Sequence, residues 1–268
     1  MNVSDQPGYE EIRGWLSTRC GIAYPEHKRD LLRQRLARVT HRFSYSDLNE
    51  LSTNLIKNAV HDVQIAVMHA ASTNHTYFYR EKDVLDRFAK EILPTFANRN
   101  ELRIWSAAAS SGDEAYTIAM IAAETLGPSF LQRLKILGTD ISEPVIHRAE
   151  EAIYSSNNLE HMDPSLRTKY FKPTGIEQFR VNSEIRDTCT FRRLNLKATP
   201  YPFQNSFQVV FCRNLLYYFD RHDQIATLNA LYEVTEPGGW LITSVTESIR
   251  DLGTPWKQVA AGIHRRVA

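Results

Sequence analysis

Apolar residues recur at helical spacing along the first 72 residues of the chain. Leu32, Leu36 and Val39, for example, fall on one face of a helix and are separated by polar residues. The same spacing continues in the neighbouring segments. It predicts four helices: Tyr9–Arg19, Glu26–Arg42, one that starts at Ser46 as its N-cap and ends near Lys57, and Val60–Ser72.

Beyond residue 101 the pattern changes to short apolar runs that alternate with amphipathic segments. Such runs are typical of strands that are buried on both faces, and the alternation predicts a doubly wound α/β fold with a mostly parallel sheet. The first predicted strand begins at Leu102. The others are Lys135–Gly138, Thr188–Leu194, Phe207–Cys212, Trp240–Val245 and Ile263–Val267, and the last of these is expected to be antiparallel at the sheet edge. The first predicted helix of this part ends at Thr125. The others are Pro144–Ile153, Pro164–Phe171 and Asp223–Val234.

These patterns divide the chain into a small all-helical N-terminal domain (1–72), a linker (73–90) and an α/β domain (91–268). The linker is polar at first and then aromatic, whereas a flexible spacer consists of small polar residues throughout. We therefore expect it to pack against the α/β domain and to contribute to a site. An additional predicted strand, Ile176–Val181, interrupts the βα alternation and indicates a small β excursion at about residues 172–190.

Composition restricts the classes of function. The formal net charge is +1, which gives no general case for binding nucleic acid or a membrane surface. No apolar stretch is long enough to span a bilayer, and the first residues lack the features of a secretory signal. The three cysteines, Cys20, Cys189 and Cys212, have no CxxC spacing, which indicates reduced thiols and a cytoplasmic protein.

The stretch from Leu102 to Met120 carries the first candidate chemistry. It reads as a buried strand, a loop with no residue larger than serine, and a helix. Such a loop lets a ligand lie against bare backbone at a helix N-terminus. Asp113 and Glu114 in the first helical turn would repel a phosphate, so a ligand with a cationic amine fits better. The alternative is an ordinary βα turn with two capping acids.

Three further predicted strands end in residues that could bind a ligand. Asp140 follows the second strand, where α/β nucleotide-binding folds hold a ribose, although a helix-capping role is equally consistent. Asn195–Leu196 and Arg213–Asn214 follow the third and fourth. The sequence contains no metal-ligand spacing, no Ser-His-Asp arrangement on suitable turns, no GxSxG and no P-loop. This pattern indicates a binding site without an obvious acid–base group, and no metal is expected.

The second predicted helix is strongly basic. Arg35, Arg38 and Arg42 fall on one flank of it, and Arg29 and Arg33 on the other. This helix is either a solvent-exposed face without a binding role or a docking surface for an acidic protein. Nucleic acid is a poorer fit because no aromatic residues are interleaved with the arginines.

Four stretches together give the chain a specific resemblance. They are TNHTYFYRE from Thr73, SAAASSGDEAYTIAM from Ser106, ILGTDIS from Ile136, and FQVVFCRNLLYYFDRHDQ from Phe207 with EPGGWL behind it. In this order and at this spacing the chain resembles the CheR-type chemotaxis receptor methyltransferases, which use S-adenosylmethionine. The N-terminal helices also resemble the small helical domain of that family.

The resemblance implies a class I methyltransferase fold and methyl transfer to the γ-carboxylate of receptor glutamates, forming methyl esters. A glutamate is ionised at neutral pH, with a reference pKa of roughly 4.3, so the transfer needs no general base. The implied partners are cytoplasmic domains of chemotaxis receptors, and the chain is expected to act as a monomer. Matching positions imply catalytic roles for Arg80 and Tyr218, and cofactor contacts at Asn74, Thr76, Arg80, Ala108, Glu114, Asp140, Asn195, Leu196, Arg213 and Asn214. With a receptor as the partner, the basic flank of Arg35, Arg38 and Arg42 becomes the expected docking surface.

Two departures from the family pattern matter. The family's GHSE-like strand end is Ser244–Glu247 here, so no role is assigned to it. The β excursion is slightly shorter than in enteric members, whose β subdomain grips a receptor C-terminal peptide, and we expect no such tether. Two other functions remain open: a signalling module that binds the cofactor without transferring a methyl group, and a methyltransferase for a small molecule, which would not need the basic helix.

Overall fold

The computed structural model describes residues 6–72 and 76–267. The N-terminal part is helical, as predicted, and its helices pack around one apolar core that includes Ile12, Leu36 and Val67. The third helix is capped differently from the prediction: Asp47, not Ser46, accepts hydrogen bonds from the first backbone N–H groups. The helices are α1 (Gln6–Cys20), α2 (Arg29–Arg42), α3 (Leu48–Ser52), which continues as a π-helical turn, and α4 (His61–Ala71).

A seven-stranded sheet forms the centre of the remaining chain. Its strands are β1 (Leu102–Ser106), β2 (Leu134–Asp140), β6 (Cys189–Arg193), β7 (Phe207–Phe211), β8 (Thr235–Ile242), β9 (Lys257–Ala260) and β10 (Ile263–Arg265). Their order is β6-β2-β1-β7-β8-β10-β9. The pairs from β6 to β8 are all parallel, and β10 is antiparallel to both its neighbours.

This order places a topological switch point between β1 and β7, because the chain builds outward from β1 to β6 and then returns to continue on the other side. In open α/β sheets, ligands bind at the carboxyl ends of the strands beside such a point. Two predicted details are wrong. β10 is not at the edge, because β9, which was not predicted, pairs outside it. The strand predicted at Trp240–Val245 begins earlier, because β8 starts at Thr235 and pairs with β7 through a register shift between Phe207 and Val209.

Helices cover both faces of the sheet. Successive strand residues point to opposite faces, so Ile104 packs into one core while its neighbour Trp105 packs into the other. The first core includes Ile118 of helix α6, and the second includes Leu228 of helix α10. The helices are α5 (Lys82–Arg87), which continues as a π-helical turn, α6 (Asp113–Leu126), α7 (Glu143–Glu151), α8 (Pro164–Tyr170), α9 (Ser183–Arg186) and α10 (Arg221–Glu233).

The predicted β excursion is present as a small antiparallel sheet. Strands β3 (Ile153–Ser155), β4 (Phe171–Gly175) and β5 (Gln178–Val181) pair in the order β3-β5-β4. The first residue of β3, Ile153, was predicted as the last residue of a helix. That helix ends earlier because Ala152 adopts a left-handed conformation, with φ of 55°, which turns the chain into β3.

Candidate functional site

A cavity opens at the carboxyl ends of the strands, at the switch point between β1 and β7. It encloses about 1030 Å³ of space, part of it open to solvent. It is lined by the β1–α6 loop, by the ends of β2, β6 and β7, by the linker and by the N-terminal helices. Ten predicted site residues line it: Thr76, Arg80, Ala108, Glu114, Asp140, Asn195, Leu196, Arg213, Asn214 and Tyr218. The eleventh predicted residue, Asn74, lies outside the described residues.

The floor of the cavity is the loop between β1 and α6. Its backbone is fixed to both neighbouring strand ends, since Ala107 N–H donates to Phe211 O (2.8 Å) and Ala109 N–H to Thr139 O (2.8 Å). Gly112, at φ 89°, then turns the chain into α6. The small side chains leave backbone exposed to the cavity, as predicted for this stretch. Ser110 Oγ is buried here with no partner among the described residues, so a ligand could satisfy it.

Asp140 occupies the end of β2 next to this floor. Its Oδ2 accepts from Ser110 N–H (3.0 Å) and its Oδ1 from Ser142 N–H (2.9 Å). Burial raises the pKa of the Asp140 carboxyl to about 6, although these backbone hydrogen bonds oppose the shift. A carboxylate has about four lone-pair sites, so acceptor capacity remains for two vicinal hydroxyl groups. Asp140 therefore joins the loop to β2 and keeps hydrogen-bond acceptor capacity at the cavity.

Glu114 and Arg213 form a buried ion pair across the cavity. Arg213 Nη1 lies 2.9 Å from Glu114 Oε2, and Ser106 Oγ donates to Glu114 Oε1 (2.7 Å). The Arg213 side chain is only 3 % exposed, and its Nη2 donates to the Arg80 carbonyl (2.5 Å). Arg213 therefore connects β7 to α6 and to the linker, and Glu114 keeps lone pairs for a cationic group.

Asp113, the neighbouring acid, is fully buried and is not among the residues that line the cavity. Ser111 Oγ donates to it at 2.7 Å, and burial raises its pKa to about 6. The sequence suggested a capping role for Asp113, and the structure adds that this carboxyl is buried. Because the pKa is raised, its contribution to stability is greatest below pH ~4 and is lost as the pH rises through about 6.

Two carboxylates with no predicted role organise the end of β7. Glu247 accepts from the backbone N–H groups of Asn214, Leu215 and Leu216, each at 2.8 Å, and so holds the turn that carries Arg213 and Tyr218. Burial raises the pKa of the Glu247 carboxyl. Glu81 accepts from Asn214 Nδ2 (2.8 Å). Glu81 belongs to the quoted motif TNHTYFYRE, and Glu247 to the strand end where the chain departs from the family pattern.

Tyr218 lines the cavity beside residues of the N-terminal helices. Its carbonyl accepts from Ala23 N–H (2.9 Å), and its ring stacks at an angle on Tyr217, with centroids 4.4 Å apart. Gly21, at φ 72°, packs closely against the next residue, Phe219, where a Cβ on Gly21 would lie 2.7 Å from the phenylalanine ring. The pKa of Tyr217 is raised, chiefly by burial and by its contact with Tyr218, and the nearby charge of Arg80 opposes the shift.

Arg35 differs from the exposed docking residue expected from the helical wheel. Its Nη1 donates to Tyr24 OH (3.0 Å) and to the carbonyls of Ala70, Ala71 and Ser72, each at 3.3 Å. It therefore satisfies the last carbonyls of α4, which a cation at a helix C-terminus does well. The periodicity gave the correct helix, but it could not show that this flank faces α4. Arg38 and Arg42 are exposed.

Comparison with known proteins identifies the family. Residues 74–263, about seven-tenths of the chain, match the family model described as CheR methyltransferase, SAM binding domain. The chain belongs to the CheR methyltransferase family. As a member of it, the chain is a methyltransferase that binds S-adenosylmethionine, so the predicted family, fold class, enzyme class and cofactor are confirmed.

Several relatives are similar over most of their length. The chain is 30 % identical over 263 residues to the chemotaxis protein methyltransferase of Vibrio parahaemolyticus, covering 97 % of this chain and 95 % of the relative. It is 32 % identical over 250 residues to the chemotaxis protein methyltransferase of Escherichia coli, covering 91 % and 85 %. The corresponding Borreliella burgdorferi protein is 32 % identical over 237 residues, covering 86 % and 84 %.

Two further observations concern features outside the cavity. Within residues 6–72 and 76–267, no helix has the length and apolar character needed to cross a bilayer. Asp220, His222 and Asp223 lie close enough together to ligate an ion. Two of them have structural roles, because Asp220 caps α10 and Asp223 pairs with Lys197 (2.5 Å).

Proposed function

We propose that this methyltransferase esterifies the γ-carboxylates of glutamates in the cytoplasmic domains of chemotaxis receptors, and that it does so in the cytoplasm. One observation carries the proposal. Arg80 and Tyr218, from separate segments, line the same cavity as Glu114 and Asp140, and no histidine is among the described lining residues. An arginine suits an anionic acceptor, and a carboxylate that is already ionised needs no base.

The cavity fits S-adenosylmethionine. Asp140 would accept the two ribose hydroxyls, Glu114 would accept the ammonium group, and the bare backbone of the Ala107–Ser110 loop allows close approach. Ile141 and Leu196 would supply apolar surface for the adenine ring of the cofactor, and Asn195 lines the cavity with them. The sulfonium supplies an activated methyl group when the cofactor is bound. Thr76, Arg213 and Asn214 complete the lining, with Arg213 acting through its ion pair with Glu114.

The residues of this chain would contribute alignment and electrostatics. Arg80 and Tyr218 would bind the acceptor carboxylate, hold one oxygen in line with the methyl group and replace part of its hydration. No proton has to move, because the carboxylate enters ionised and leaves as an ester. The names of the relatives and the basic helix α2 favour a receptor over a small molecule as the acceptor.

Mapping of the acceptor residue tests this proposal. The enzyme would be incubated with S-adenosylmethionine and a purified cytoplasmic receptor domain from its own organism, and digested peptides analysed by tandem mass spectrometry. We expect a mass increase of one methylene on glutamates. Methylation on lysine, arginine or cysteine instead, or on no receptor residue with any receptor of that organism, would contradict the proposal.

The exposed arginines of α2 give a separate prediction about docking. Reversal of Arg38 and Arg42 to glutamate should lower kcat/KM for the receptor domain by about tenfold, because complementary charge accelerates encounter. The Kd for S-adenosylhomocysteine should not change, and the loss should shrink at high salt. Lys57→Glu, an exposed charge reversal elsewhere in the same domain, is the control. An unchanged kcat/KM would make this a solvated face.

A further inference from the structure

Glu81 connects the linker to the ends of two strands. Its Oε1 accepts from Asn214 Nδ2 (2.8 Å) and Ser244 Oγ (2.9 Å), and its Oε2 accepts from Val245 N–H (3.3 Å). The same Oε2 lies 3.4 Å from Arg213 Nη2. One carboxylate therefore joins the residue after Arg80 to β7 and to the end of β8.

The neighbours of Glu81 stabilise the ionised form of its carboxyl group. Burial alone would raise the pKa of its carboxyl, but the hydrogen bond from Asn214 and the charge of Arg213, with further bonds from Ser244 and Val245, outweigh burial and lower it. Glu81 is therefore ionised at neutral pH. Hydrogen bonds to an ionised acceptor are roughly twice as strong as neutral ones, so this contact fixes the local backbone firmly.

The backbone around Arg80 needs such support. Tyr79 has φ of 60° and Glu81 has φ of 56°, so two bulky residues on either side of Arg80 adopt the left-handed conformation. Each costs about 1 kcal/mol or more and persists only where surrounding contacts determine it. Three sets of contacts do so here. Thr117 Oγ1 accepts from Tyr79 N–H (3.2 Å), Arg213 donates to the Arg80 carbonyl, and Glu81 binds the partners described above.

We propose that Glu81 is a positioning residue for the transfer step, acting through Arg80. Glu81 is not among the residues that line the cavity, whereas Arg80 is, so Glu81 does not contact the substrates itself. Its carboxylate holds the left-handed turn and thereby directs the Arg80 guanidinium toward the acceptor. This inference rests on the proposed role of Arg80 in binding the acceptor carboxylate.

Glu81→Ala and Glu81→Gln, each alone and combined with Arg80→Ala, test the inference. We expect kcat to fall by about 10²-fold in Glu81→Ala, because a small misplacement of a catalytic group costs about that much. Glu81→Gln keeps one acceptor oxygen but has no charge to balance that of Arg213. Its kcat should therefore fall by about tenfold, which is a smaller loss than in Glu81→Ala. The Kd for S-adenosylhomocysteine should stay within about threefold of wild type.

The double variants distinguish positioning from general destabilisation. If Glu81 acts through Arg80, Glu81→Ala should cause no further loss of kcat in the Arg80→Ala background. Glu101→Ala, which removes a surface partner of Arg103, is the matched control and should leave kcat unchanged. If Glu81→Ala does not fold, Glu81→Gln still tests the inference, because its kcat should fall while its circular dichroism spectrum stays native.

Four outcomes would overturn the inference. Multiplicative losses in the double variant would mean that Glu81 acts independently of Arg80, and an equal loss in cofactor affinity would make it a residue of the cofactor site. A slow Arg80→Ala with normal Glu81 variants would remove the role of Glu81 and leave the proposed function intact. A normal kcat in Arg80→Ala would overturn the role of Arg80 and this inference together.

Discussion

Arg80→Ala is expected to lower kcat for receptor methylation by about 10²–10³-fold, because it removes a charged group that aligns the acceptor and stabilises it during transfer. The Kd for S-adenosylhomocysteine should change by less than about threefold, since Asp140 and Glu114 remain in place. Steady-state kinetics with a purified receptor domain and calorimetric titration with S-adenosylhomocysteine measure the two effects separately.

Arg87→Ala is the matched control for this substitution. Arg87 lies in α5, a few residues along the chain. Within residues 6–72 and 76–267 its half-exposed side chain forms a single ion pair, with Glu91 at 3.7 Å. Its removal should leave both kcat and cofactor affinity unchanged. If Arg80→Ala instead lost kcat and cofactor affinity by the same factor, Arg80 would be a ligand of the cofactor and not of the acceptor.

Asp140→Asn is expected to weaken S-adenosylhomocysteine binding by about 10²-fold, because hydrogen bonds from two hydroxyls to a carboxylate are charge-assisted. The wild-type affinity should also depend on pH. The pKa of Asp140 is raised to about 6, and ribose hydroxyls favour its ionised form, so the Kd should rise as the pH falls below about 6. Calorimetry between pH ~4.5 and ~8 measures this dependence, which should disappear in Asp140→Asn.

Asp113→Asn provides a sharp control for that experiment. Asp113 is another buried carboxyl whose pKa is raised to about 6, but it is not among the residues that line the cavity. Its amide variant should keep both the affinity and the pH dependence of cofactor binding. A loss of pH dependence in Asp113→Asn, with retention in Asp140→Asn, would show that the ribose acceptor has been assigned to the wrong acid.

The sequence was sufficient to predict the fold and which residues gather around the candidate site. The alternation of apolar runs and amphipathic segments predicts parallel strands, and the carboxyl ends of parallel strands meet at one edge of a sheet. Asp140, Asn195 and Arg213 each follow such a run, so their gathering around one cavity follows from the topology. The small residues before Gly112 likewise predict the exposed backbone of the cavity floor.

The partners of the charged side chains could not be predicted in the same way. Arg35 looked like an exposed docking residue because a helical wheel gives directions around one helix and not the neighbour each direction meets. Glu81 and Glu247 received no role because their partners are backbone N–H groups and side chains far along the chain. Such contacts depend on tertiary packing, which periodicity does not encode.

The small sheet shows the same limit at the level of secondary structure. β3 follows directly from helix α7, and the left-handed Ala152 between them is neither glycine nor asparagine, so no turn signal marks the boundary. The strand exists because it pairs with β5, from Ile153 opposite Arg180 to Ser155 opposite Gln178. Pairing between distant segments decided the structure here, and local propensity did not.

Above all, we propose that this chain transfers a methyl group from S-adenosylmethionine to a receptor carboxylate. The most direct test is to label receptor-containing membranes of the same organism with methyl-labelled cofactor, treat them with alkali and collect volatile methanol. We predict release of most of the label as methanol, because esters are base-labile, and a strongly reduced yield with Arg80→Ala. Cofactor binding without alkali-released methanol from any cognate receptor would contradict the claim.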